Sequence, residues 1–440
     1  MYEEIGNIIM RMPEPSREIA EDVWETLPSD LRRELDITLA ALSKITKNNP
    51  MASADLINLI RRQADPAIRP ISDIAILGPV NSGKSTLFNA LLADSKEKAE
   101  VSSVPGTTKV TQTVSTGLFN LADTPGLDNG TAAGAEESEE ALETAKNASF
   151  IIMVFDATRG ITASDKIMYR TILALGKPML IAMNKFDLIK RSERRRNLET
   201  AANALGIMPL EIHQISALKK DGIEQLLLEA AATEPRLLGE MGRQLPPLRR
   251  KLAWQAIRRA GLAACAIAVT PLPVIDLIPL TAVQISLVLT LARIYDKNIS
   301  WGRAAEITAS FGAGIAARTL FQELSKLGGP PGWALSASIA GATTIVIGYS
   351  VMLWFASGIK PSAKTIRAAS KELQKHILKS LSIFGKKRPN RQKLSDTLEQ
   401  QLPDIAQNLE AENSKTATLA SASVGDIPAA PSANGTSAAE

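Results

Sequence analysis

The chain has 440 residues, with 50 lysines and arginines against 46 aspartates and glutamates, one cysteine and two histidines. At about 100–200 residues per domain this length implies two or more domains, while the lone Cys265 excludes a disulfide framework or cysteine-rich metal site, and His213 and His376 are too few for a histidine-based metal or catalytic site. The net charge of +4 is uneven, with acids crowded into 136–143 and Lys and Arg into 243–259 and 360–393, a layout that suits a local anionic partner such as lipid headgroups or RNA.

The N-terminal stretch opens with Glu3 and Glu4 and contains no apolar run bounded by a cleavage site, so it does not read as a secretory signal. Residues 1–70 are expected to be a helical segment: Leu31, Leu35, Leu39 and Leu42 fall at helical spacing, broken around Asn48-Asn49-Pro50. Over 71–235 short β-rich runs ("DIAIL", "VTQTVST", "LFNLAD", "FIIMVFDA", "PMLIAMNK", "IHQIS") alternate with helical patterns. That alternation predicts an α/β domain with a mainly parallel sheet. Residues 236–259 are expected to form a basic connector, 260–393 an apolar α-helical domain ending in a basic amphipathic helix, and 394–440 a mostly disordered Ala/Ser-rich tail.

The stretch "GPVNSGKST" follows a predicted strand and precedes a predicted helix, the context of a phosphate-binding loop. Backbone N–H groups around Gly78, Asn81, Ser82, Gly83, Lys84, Ser85 and Thr86 are placed to cradle phosphates at a helix N-terminus. Lys84 reaches the β- and γ-phosphates there, and the Ser85 hydroxyl faces magnesium. A plain glycine turn capping a helix is the alternative, and the ordered motifs that follow argue against it. Asp123 in "LADTPGLD" can hold magnesium through water, and the Gly126 N–H can sense the γ-phosphate. In "NKFD", Asn184, Lys185 and Asp187 close a strand, and a carboxylate there accepts both N1 and N2 protons of guanine. Adenine has no such donor pair, so the base expected is guanine and the nucleotide GTP or GDP. Ser216, Ala217 and Leu218 form a loop that supports the base through its backbone.

These motifs resemble the Era-like (TrmE-Era-EngA-type) P-loop GTPases over about residues 71–234. The resemblance implies that Thr108 in "VPGTTKV" closes onto magnesium, and that Lys84, Thr108 and Gly126 carry catalysis. Relatives often continue with Arg-Asp after that threonine, whereas this chain has Lys109-Val110. Leu127 follows Gly126 where Ras-like enzymes place a water-orienting glutamine, so slow basal hydrolysis is expected. Asn81 matches an asparagine that helps hold potassium when two G domains of some relatives meet, and by that resemblance potassium dependence and G-domain homodimerisation are expected. Asn also simply tolerates tight loop backbone.

Between Arg259 and Arg293 the one charged residue is Asp276, and 327–359 contains none. Trp333–Ser357 is long enough to cross a hydrocarbon core, which needs about 20 helical residues. Its small residues suit close helix contact and its aromatics suit interfacial anchoring. The earlier stretch, with Pro271, Pro273, Asp276 and Pro279, reads as a bent span, a re-entrant hairpin or a soluble bundle with an apolar hinge. Basic flanks at both ends favour an even number of crossings, at roughly 262–292 and 333–357, with the GTPase domain facing the cytoplasm or plastid stroma. The following helix sets Ile366, Leu373, Ile377, Leu381 and Phe384 opposite Lys364, Arg367, Lys371, Lys375 and Lys379, suiting an anionic bilayer or, alternatively, solvated packing on a bundle. The "TPLPVIDLIPLTAVQ" pattern looks like a helical domain fused to some Era-like GTPases of bacteria and plastids. Two readings result: a GTP-hydrolysing switch coupled to a membrane-embedded helical domain, or a GTP-controlled RNA, ribosome or tRNA-modification factor. A transporter is weaker, because the spans carry few polar groups.

Overall fold

The computed structural model describes residues 61–71, 73–92, 114–115, 118–121, 142–269, 277–312, 332–358, 360–361, 363–381, 393 and 397. Strands β1 (Ile74–Leu77), β2 (Val114–Ser115), β3 (Phe119–Leu121), β4 (Phe150–Asp156), β5 (Met179–Asn184) and β6 (Ile212–Gln214) form one sheet in the order β2-β3-β1-β4-β5-β6. β2 pairs antiparallel with β3, and the other pairings are parallel. Parallel neighbours need crossovers that cover both faces, so the central strands are apolar throughout. Every residue of β1 is buried, as are Phe150–Phe155 of β4.

Helices α1 (Lys84–Leu92), α2 (Ala163–Leu173), α3 (Arg194–Leu205) and α4 (Ile223–Thr233) flank the sheet. Successive strand residues point to opposite faces. Ile74, Ile76, Phe150 and Ile152 therefore pack with Leu87 and Leu91 of α1 and Leu226 and Leu227 of α4. Ala75, Leu77, Ile151 and Met153 pack with Tyr169 and Ile172 of α2 and Ala201 and Ala202 of α3. α2 starts where Thr162 and Asp165 satisfy each other's backbone N–H in a capping box.

From residue 238 onward the described elements are helical: α5 (Leu238–Gln244), α6 (Arg249–Val269), α7 (Leu277–Ile294), α8 (Trp301–Gly312), α9 (Gly332–Ser357) and α10 (Ala363–Leu381). α9 is its axis. α6 runs antiparallel to it, with Gly261 against Ile345 and Cys265 against Gly341, so close that a Cβ at Gly341 would lie 2.2 Å from the Cys265 Sγ. α7 runs alongside in the same direction as α9, and Gln284 donates to the Thr344 hydroxyl at 3.1 Å. Other buried hydroxyls bond back to their own helix, as Thr290 does to the Ser286 carbonyl at 2.8 Å.

Three expectations for the second half of the chain meet the structure here. In the stretch 236–259, expected as a basic connector, Leu238, Met241, Leu245, Leu248, Leu252 and Ile257 are buried in the same apolar core as the sheet. Pro246 and Pro247 stand at the first turn of a short 3-10 helix, where a missing N–H is harmless. Within 262–292 the described residues belong to two helices, α6 and α7, that run in opposite directions beside α9, and Asp276 lies outside the described residues. The apolar face of α10 is occupied within the protein, since Ile366, Leu373, Ile377 and Leu381 are buried while Lys371, Lys375 and Lys379 are exposed. Among the described residues Ala334–Ser357 is the one helix long and apolar enough to cross a membrane, and 67 % of its most apolar stretch is buried inside the protein. A helix apolar on every side belongs in a protein core or a bilayer.

Candidate functional site

The site gathers at the C-terminal ends of the parallel strands, where loops leaving an open α/β sheet converge. β1 ends at Leu77 and turns at Gly78, whose φ is 150°. A Cβ at Gly78 would lie 2.0 Å from the Val154 carbonyl oxygen, so the neighbouring strand leaves no room for a side chain. Asn81 is left-handed at φ 63°, a conformation Asn tolerates better than most residues. Lys84 is 3 % exposed, and its ammonium donates to the carbonyls of Gly78 at 2.7 Å and Pro79 at 2.9 Å. The charge is thus held under the loop, while Ser85 and Thr86 in the first turn of α1 are exposed. A helix N-terminus carrying a fixed cation is built for an anion, and an exposed hydroxyl beside it suits a hard cation such as magnesium.

The second wall comes from β5. Asn184 is 2 % exposed, donates to the Ser82 carbonyl at 2.9 Å and accepts from the Ala217 N–H at 2.8 Å. Gly83, at φ 89°, has to be a glycine because a Cβ there would meet Asn184 Nδ2 at 2.2 Å. Lys185, left-handed at φ 61°, donates to the Asn81 carbonyl and to the Asp156 carboxylate, each at 2.6 Å. The Ser216 hydroxyl, ahead of the Lys219 ammonium at 3.3 Å, holds the Asp187 carboxyl below the usual range. Asp187 is therefore an ionised acceptor at neutral pH. Leu218, next in the chain to Lys219, is 82 % exposed.

Gly78, Asn81, Ser82, Gly83, Lys84, Ser85, Thr86, Asn184, Lys185, Asp187, Ser216, Ala217 and Leu218 are thus brought to one end of the sheet. Thr108, Asp123, Gly126 and Leu127 lie outside the described residues. His213 is half-buried on β6, where burial lowers its pKa against the pull of Glu229, and among the described residues no three His, Cys, Asp or Glu side chains gather as metal ligands. Sequence reasoning passed over Asp156 and Lys219. The signal for Asp156 was an acid closing an otherwise wholly apolar strand.

Residues 73–185 match the family model described as 50S ribosome-binding GTPase, and 234–382 match a domain of unknown function, DUF697. The probable GTP-binding protein EngB of Pelotomaculum thermopropionicum is 31 % identical over 183 residues, covering 40 % of this chain and 92 % of that protein. GTPase Der of Pseudothermotoga lettingae is 32 % identical over 227 residues, 46 % of this chain, and the match spans about half (51 %) of Der. A solved structure of Era from Aquifex aeolicus is 25 % identical over 46 % of this chain and 69 % of its own, with a TM-score of 0.30.

Proposed function

The chain belongs to the Era-like (TrmE-Era-EngA-type) P-loop GTPases, and on that footing we propose that it binds GTP, hydrolyses it slowly to GDP and phosphate, and passes its nucleotide state to the helical region. The observation that carries the reading is Asn184, whose one amide ties the phosphate loop at Ser82 to the base loop at Ala217. Magnesium, held by Ser85 with Thr108 and Asp123, would neutralise charge developing on the phosphates. Lys84 orients the β- and γ-phosphates, and Asp187 reads guanine. Potassium at Asn81 is part of the same proposal, as is pairing of two G domains.

Coupling to the helical region is supported by packing. α1 opens on the phosphate loop and α4 follows the base loop, and Leu87, Leu91, Leu226 and Leu227 share one apolar core with Leu245, Leu248 and Leu252. A shift of α1 or α4 would therefore be felt at the 245–248 turn and at α6. The working units are a GTPase domain over 71–235 and a helical domain over 236–393 that takes in the basic 236–259 stretch.

We further propose that the helical domain associates with membranes, on the length and composition of Ala334–Ser357. Each residue from Ala334 to Met352 is buried or half-buried, so α9 reaches lipid only if α6, α7 and α10 open or insert with it. A second reading, docking to ribosomal or other RNA, is favoured by the exposed Lys371, Lys375 and Lys379 and by the family description. Fractionation separates them: retention in membranes through high-salt and carbonate washes supports insertion, and nuclease-sensitive co-sedimentation with ribosomes supports RNA.

A further inference from the structure

We propose that Asp156 is the positioning residue of the base site: its carboxylate pins the Lys185 ammonium against the Asn81 carbonyl and so fastens the guanine-reading turn to the phosphate loop. The inference rests on the guanine-nucleotide reading above.

Lysine has a long, freely rotating stem, and ordering it needs strong acceptors. Lys185 has two, the Asn81 carbonyl and the Asp156 Oδ2, each at 2.6 Å. The carbonyl alone is neutral, whereas the carboxylate makes the contact charge-assisted and directional. Its second oxygen accepts from the Thr158 N–H at 2.8 Å and the Thr158 hydroxyl at 2.6 Å. Those two bonds fix the carboxylate's rotation, which leaves Oδ2 for Lys185. Burial pulls the Asp156 pKa up, but hydrogen bonds from Lys185 and Thr158 outweigh it and hold the group below its usual range. Strand register brings the pair together, because Asp156 at the end of β4 lies opposite Asn184 at the end of β5. Asn81, Asp156 and Lys185 thus form a clasp across three elements, and Lys185 stands between Asn184 and Asp187 in the turn that meets the base.

A plain strand-end ion pair would stabilise the fold without acting through Lys185, and a double-mutant cycle separates the two roles. Dissociation constants for mant-GDP are titrated with the full-length chain for wild type, Asp156→Asn, Lys185→Met and the double variant, together with melting temperatures of the nucleotide-free proteins. Loss of a charge-assisted bond should weaken mant-GDP by about ten- to hundredfold in Asp156→Asn, while in the Lys185→Met background the same change should matter by less than about twofold. Asp156→Glu, which keeps the charge, should recover part of the loss. Equal factors in both backgrounds, or wild-type affinity in Asp156→Asn, would overturn the positioning role while leaving the guanine site standing. A wild-type chain that does not bind mant-GDP would instead refute the guanine reading and this inference with it.

Discussion

The Asn184 side-chain nitrogen donates to the Ser82 carbonyl across 2.9 Å, although 102 positions separate the two residues. Its oxygen accepts from the Ala217 N–H at 2.8 Å, so one buried amide satisfies two loops. Asn184→Ala strands a carbonyl and an N–H that are closed off from water, and each orphan should cost about 1–3 kcal/mol. Denaturant unfolding of the nucleotide-free chain should record that loss, and mant-GDP should bind more weakly. A variant as stable as the parent would mean that this amide does not hold the loops together.

The nucleotide motifs were legible in the sequence because their residue types answer to local backbone geometry. Gly78 abuts the Val154 carbonyl and Gly83 abuts Asn184, so glycine is the residue that fits at each. For Asp156 the sequence marked the position, an acid closing an apolar strand, but not the role, since its partner lies 29 residues on and meets it only through the register of β4 against β5. The alternation of strands and helices foretold the sheet, whose faces separate by simple period-two reading. For the helical half, apolar length does not distinguish lipid from protein as a neighbour: Ala334–Ser357 meets the same criterion in either setting. What covers α9 is decided by α6, α7 and α10, whose arrangement in space no periodicity records. Arg and Pro in 236–259 suggested a linker, whereas the spacing of Leu238, Met241, Leu245 and Leu248 carried the better information.

Guanine selectivity should reside in Asp187. Asp187→Asn replaces an acceptor for N1–H and N2–H₂ by an amide that can donate to the C2 oxygen of xanthine. GTP affinity should then fall by about ten- to hundredfold, with xanthosine triphosphate gaining over the parent in parallel titrations. Undiminished GTP binding would mean that another group reads the base.

Lys84→Ala removes the cation held by the Gly78 and Pro79 carbonyls, and Ser85→Asn replaces the exposed hydroxyl expected to meet magnesium. The first variant should weaken triphosphate binding by about a hundredfold, and the second should raise the magnesium concentration needed for turnover. Single-turnover hydrolysis and magnesium titration report the two effects. Parental behaviour in both would remove the phosphate-loop assignment.

Potassium dependence can be read independently of these variants. If an ion bridges the phosphates beside Asn81, turnover should be higher in potassium than in sodium at equal ionic strength and should rise with protein concentration as G domains pair. The Asn81 carbonyl already accepts from Lys185, so the side chain is the group under test. Asn81→Ala should abolish the potassium effect and leave magnesium-GTP binding largely intact. Equal rates in both salts would leave the residue with its backbone role at φ 63° alone.

The chain's one cysteine reports on whether the helical domain opens. Cys265 is 1 % exposed, with its Sγ 3.3 Å from the Ala337 carbonyl, between α6 and α9. Reagents reach such a thiol through openings of the bundle, and an opening free energy of about 4 kcal/mol slows labelling about a thousandfold against the urea-unfolded chain. N-ethylmaleimide should therefore label the GDP-loaded protein slowly. Insertion of α9 by opening, rather than together with α6, exchanges its contacts with α6 for lipid, so on that route GTP together with anionic vesicles should speed labelling, whereas either alone should do less. Fast labelling under every condition would contradict the closed packing of α6 on α9. Labelling that stays slow in vesicle-bound, GTP-loaded protein would discard opening as the route to the bilayer and leave the exposed Lys371, Lys375 and Lys379 as the contact with an anionic partner.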